Sequence, residues 1–117
     1  KTRDILVAVI VPKTVEKVVY LSQRNQSTDF PVLTCAVAKR ADGYAAVVGA
    51  TPHLAEVVLD RQGVLTELTD ESISKFAEQV SEEIRFGSNV RSGAAYRKAV
   101  CRVLVKRALE TWKGEQI

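Results

Sequence analysis

The rhythm of hydrophobic and polar positions changes once along this chain, near residue 54. Before that point apolar residues come in short, β-branched runs separated by turn residues; after it they recur every three or four positions. The run 5–11 (ILVAVIV) is unbroken, stops at Pro12, and reads as a first strand, being too short and too β-branched for a helix. Pro12-Lys13-Thr14 reads as a turn, and Val15, Val18, Val19 and Leu21 carry a second strand-like run to about Ser22. Residues 23–31 (QRNQSTDFP) are polar up to Phe30 and read as a surface loop, the kind of segment in which a rigid scaffold displays functional groups. Residues 32–39 and 45–50, joined across Ala41-Asp42-Gly43-Tyr44, form the clearest hairpin, because Asp-Gly supplies the positive φ angles of a tight turn. Residues 49–52 then close the sheet, and Gly49, lacking a Cβ, lets a neighbour approach closely.

In the second half, Leu54, Val57 and Val58 suggest a short helix ended near Gly63. Asp70 caps the next, which lines up Ile73, Phe76, Ala77, Val80 and Ile84 on one face and Ser74, Lys75, Glu78 and Glu82 on the other. Glu78 and Glu82, four apart and alike in charge, call for a basic neighbour, and the last helix offers Arg97 and Arg102. That last segment, 89–112, is the longest with one period: Tyr96, Ala99, Val100, Val103, Leu104, Ala108 and Trp112 lie on one side. Arg97, Lys98, Arg102, Lys106 and Glu110 lie on the other, Ser92 or Asn89 can cap the start, and Gly114 is a natural stop. The linker 87–91 is short enough to make the two long helices antiparallel neighbours. Strands first and helices afterwards give an α+β domain: an antiparallel sheet of about four strands followed by three helices packed on one face, a single domain over residues 1–117.

Composition changes this picture little. At 46% hydrophobic and 26% charged residues the chain is globular, and its longest apolar run is far short of a bilayer crossing, so no membrane partner is expected. The net charge of +3 is mild and diluted by acidic residues, which argues against nucleic acid. Cys35 and Cys101 sit in apolar stretches with no ligand or disulfide spacing, read as core residues, and fit a reducing, cytoplasmic setting. His53, the one histidine, has no partner cluster, so neither a metal site nor a catalytic triad is expected. No glycine-rich phosphate loop and no nucleophile elbow occur, and no catalytic centre is legible. The chain contains no Met and is expected to be an excised piece of a longer polypeptide.

The closing segment says more than its period. Arg91-Ser92-Gly93-Ala94-Ala95-Tyr96-Arg97, followed by Arg107-Ala108-Leu109, resembles the end of the FAD-binding subunits of molybdenum hydroxylases, the xanthine dehydrogenase and carbon monoxide dehydrogenase flavoprotein family. That ending typically reads D-x-R-x-S-x-x-Y-R; Asn89 replaces its Asp and Gly93 its Ser. Ser22-Gln23-Arg24 leading to Asp29-Phe30-Pro31 resembles the family's S-x-R loop, and Gly49-Ala50-Thr51-Pro52 its turn before a short helix. The resemblance spans about Arg3 to Leu109, as the family's C-terminal domain, a sheet with three helices on it. It implies that FAD is held mainly by preceding domains absent from this chain, and that the complex also contains iron–sulfur and molybdopterin subunits. Electrons would pass from molybdenum through iron–sulfur clusters to FAD and an acceptor, while the fragment alone is inactive. Carried over, Arg24 and Asp29 become the flavin-proximal residues, tuning the cofactor by charge. Tyr96 is expected as a core anchor and Arg97 as the partner of a carboxylate or of another domain. The rival reading is a stand-alone interaction module whose basic C-terminal helix docks an acidic partner.

Overall fold

A computed structural model describes residues 4–10, 15–26, 30–40, 43–90 and 92–115. Strands β1 (Val15–Arg24), β2 (Pro31–Arg40), β3 (Gly43–Gly49) and β4 (Glu56–Leu59) form one sheet in the order β1-β2-β3-β4, every neighbouring pair antiparallel. A 3-10 turn (Val64–Thr66) and two helices, α1 (Asp70–Glu83) and α2 (Ala94–Glu115), follow. The domain is therefore α+β as expected, with two helices and not three.

The expected third helix is β4. Leu54, Val57 and Val58 offered too few positions to establish a period, and the alternation is that of a strand: Val57 is 59% exposed while Val58 is buried. Glu56, Val57, Val58 and Leu59 pair with Val48, Val47, Ala46 and Ala45 of β3, so β4, and not the turn 49–52, closes the sheet. The descent from β4 is held by Asp60, whose carboxylate accepts from the N–H groups of Val64 and Leu65 at 2.9 and 2.8 Å. Gly63 takes a φ of 70°, which a side chain would strain.

The expected first strand is the second correction. Residues 5–10 carry no regular structure, and Ile5, Leu6, Val7, Val9 and Ile10 are 74–90% exposed. Val11 and the expected turn Pro12-Lys13-Thr14 lie outside the described residues, as do Ala41 and Asp42 of the hairpin and Arg91. Gly43, at the start of β3, takes a φ of 126° and pairs with Arg40 at the end of β2.

The core lies between one sheet face and the helices. Leu33, Cys35 and Val37 of β2, Ala46 and Val48 of β3 and Val58 of β4 point into it, meeting Ile73, Phe76, Ala77 and Val80 from α1 and Ile84 just beyond its end. Helix α1 starts on a capping box in which Thr69, one residue before the expected Asp70, exchanges side-chain and backbone hydrogen bonds with Ser72. Helix α2 buries Arg97, Cys101, Leu104, Val105, Ala108, Leu109 and Trp112, a stripe rotated from the expected one: Tyr96 and Val103 are 49% and 44% exposed. Lys98 pairs with Glu82 at 3.2 Å, and Ser74, Ala77 and Glu78 share a groove with Arg102, Val103 and Lys106, so the helices run antiparallel. The basic relief for Glu82 thus comes from Lys98, since Arg97 faces inward.

Candidate functional site

Antiparallel pairing brings the end of β1, the start of β2, the end of β3 and the start of β4 to one edge of the domain: Arg24 pairs with Pro31, Thr34 with Gly49, and Val48 with Glu56. The β1–β2 loop, the β3–β4 turn and the α1–α2 linker therefore cluster there. Gly49 permits the approach at this end, since a Cβ on it would stand 2.8 Å from Thr34 Oγ1.

The cluster is tied together by Arg97, in the first turn of α2 and only 1% exposed. Its Nε–H donates to the carbonyl of Val32 at 2.9 Å, one guanidinium nitrogen donates to the carbonyls of Gly87 and Ser92 at 2.8 and 2.7 Å, and the other to Asn89 Oδ1 at 2.8 Å. A planar fork with donors on every side suits this convergence of loop carbonyls, and an ammonium does not. Asn89 Oδ1 also accepts from Ser92 N–H, and Ser88 Oγ accepts from Ala94 N–H at 2.8 Å, so the start of α2 is capped from its own linker. The linker is joined to the β3–β4 turn by Gly87 N–H donating to Thr51 O at 2.8 Å. A Cβ on Gly87 would meet Thr51 O at 3.1 Å, Pro52 Cβ at 3.2 Å and His53 Nε2 at 3.4 Å, so the imidazole of His53 lies beside this glycine. Thr51, fully buried, shapes that turn by accepting from His53 N–H at 3.2 Å.

Of the two residues expected to be flavin-proximal, Arg24 ends β1 at this cluster, beside an irregularity in the β1–β2 ladder between Gln23 and Arg24. Asp29 lies outside the described residues. Phe30 is 72% exposed at the loop's exit, and the next strand begins at Pro31, one residue before the Val32 carbonyl that Arg97 holds. The hydrogen bond from Arg97 to Val32 thus ties the Tyr-Arg signature to the strand that follows the S-x-R loop, far away in sequence. Tyr96 is half exposed and not the expected core anchor; Arg97 is the anchor, and the partners described for it are carbonyls and an amide oxygen.

The family described as CO dehydrogenase flavoprotein C-terminal domain matches residues 19–112. The chain belongs to that family. Among solved structures, the domain is similar to a carbon monoxide dehydrogenase from Hydrogenophaga pseudoflava that lacks the Mo-pyranopterin moiety of its molybdenum cofactor, with a TM-score of 0.66 and 19% identity. The match covers 86% of this chain and 37% of that one, so the chain spans little more than a third of the relative's length. No curated protein matches the sequence. The flavoprotein C-terminal-domain resemblance drawn from the Tyr96-Arg97 and Arg107-Ala108-Leu109 motifs is thereby confirmed at the level of family.

At the N-terminus of α1 the capping box takes up the N–H groups of Thr69 and Ser72, and Ser88 Oγ takes up the first N–H of α2. Among the described residues no group of three or more His, Cys, Asp or Glu is placed to hold a metal ion, and no helix is long and apolar enough to cross a membrane.

Proposed function

We propose that this domain closes the flavin site of an FAD-binding subunit of a molybdopterin-dependent dehydrogenase and braces that subunit within its complex. The family match over residues 19–112 carries this reading. The description of the family as the C-terminal domain of a flavoprotein supports the part that places FAD on preceding domains. Bracing is supported by the shape of the sheet. Its second face has no helix among the described residues and is apolar and shallow, with Ala36, Ala38, Ala45 and Val47 at its centre and Val18, Tyr20 and Val57 around them. A face of small side chains lets another layer come close, whereas a solvated face would alternate to polar residues. Arg24 and Asp29 would then contribute one positive and one negative charge at the flavin end, on a loop whose exit Arg97 holds. The rival interaction module is less well supported, because Lys98 on its basic helix is already engaged by Glu82.

Titrating FAD into the 117-residue chain tests the division of labour: no flavin absorbance should co-elute with it, and tight binding would refute the proposal. In the full-length subunit, Arg24→Ala should leave flavin bound while shifting its reduction potential or its rate of reduction. An unchanged potential and rate would remove Arg24 from the site.

A further inference from the structure

The exposed segment 5–10 is the one part of the described chain that its own fold does not explain. Ile5, Val7 and Val9 on one parity and Leu6, Ala8 and Ile10 on the other are all apolar, and the five large ones are 74–90% exposed. Isolated exposed hydrophobic residues are ordinary; a contiguous apolar run, rich in Val and Ile and exposed on both parities, is not. A strand with one solvated face alternates, while a strand apolar on both parities fits a sheet covered on both faces. The sheet of this domain does not take the segment up: residues 5–10 pair with neither of its edge strands, β1 or β4. The family match also begins at residue 19, after this segment, and the related carbon monoxide dehydrogenase chain extends well beyond the matched region.

From these observations we infer that residues 5–10 form an interior strand of a second sheet, one layered on both faces, belonging to the part of the same subunit that lies outside this domain. The segment is then a covalent strand-level link between two domains: its sheet hydrogen bonds are made in the neighbour, while β1 starts this domain's own sheet. This rests on the reading of the domain as one part of a larger flavoprotein subunit, and it names the contact through which that part is held.

Amide hydrogen exchange on the full-length subunit and on the 117-residue chain decides the matter. In the full-length subunit, amides of residues 5–10 at both odd and even positions should exchange roughly 100-fold or more slowly than in the 117-residue chain, since an interior strand is paired on both sides. In the 117-residue chain they should exchange freely while β2 and β3 stay protected. Protection on alternate amides only, or none, in the full-length subunit overturns the inference. So does protection in the monomeric 117-residue chain, which would mean docking within the domain, or protection that grows with protein concentration, which would mean a second copy. Flavin absorbance read on the same full-length sample separates the two claims: a protected strand without flavin would refute the functional reading and leave the strand standing.

Discussion

Arg97 shows what a single residue does here. A guanidinium taken out of water is tolerable only where its donors are met, and four of its hydrogen bonds converge on Val32, Gly87, Ser92 and Asn89. Truncation takes the donor from the buried Val32 carbonyl and from the part-buried carbonyls of Gly87 and Ser92, so Arg97→Ala should cost about 3–5 kcal/mol in urea unfolding, and Arg97→Lys should recover only part of that. A loss below 1 kcal/mol would show that the arginine does not hold the loops. The residue was legible as part of a motif but not as a core position. Periodicity that counts arginine as polar turns the helix toward Tyr96 and Val103; counting Arg97 as neutral restores the stripe 97, 101, 104, 105, 108, 109 and 112 that is buried.

At the scale of elements, the seam between α2 and the sheet is marked by two thiols. Cys35 on β2 and Cys101 on α2 are both buried, and burial pushes each up to about 12 from an ordinary value near 9; the nearby Cys101 adds to the rise at Cys35, and Arg102 partly opposes it at Cys101. Both stay protonated in the fold while unfolded thiols ionise from about pH 9 upward. The unfolded state therefore binds fewer protons between about pH 9 and 12, and stability, full below pH 9, should fall through that window. The slope should approach 1.4 kcal/mol per pH unit for each thiol, roughly, and should flatten in the Cys35→Ala, Cys101→Ala pair. An identical pH profile for that pair would place the cause elsewhere. The core role of both cysteines followed from their apolar neighbours in sequence, as did α1 with its five inward positions. Strand β4 did not, because four residues are too few to separate a period of two from one of 3.6, and only pairing with β3 settles it.

For the whole molecule, the consequence is a two-sided layer with one side unused within the domain. Ala36 sits at the middle of the helix-free face, paired with Tyr20 and Val47. Ala36→Asp should cost the 117-residue chain only about 1 kcal/mol, the scale of strand propensity. In the full-length subunit it should loosen the domain, read as protease cleavage between domains and as loss of bound flavin. Unaltered cleavage and flavin content would show that this face packs against nothing. Exposure of such a face has no signature in a one-dimensional pattern, since alanine and valine read as core whether or not another layer arrives.

Residue order by itself determined the class: β-branched runs followed by helical periods segregate into a sheet with helices laid on it, and the α1 period is local physics. Its motifs also reached the family that the match over residues 19–112 establishes. Three outcomes needed the fold, all for the same reason, that they depend on which groups meet across long separations. Arg97 goes inside because carbonyls from the start of β2 and from the α1–α2 linker converge to receive it. Residues 56–59 become a strand because β3 offers an edge. Residues 5–10 do not, because neither edge strand of this sheet, β1 or β4, pairs with them.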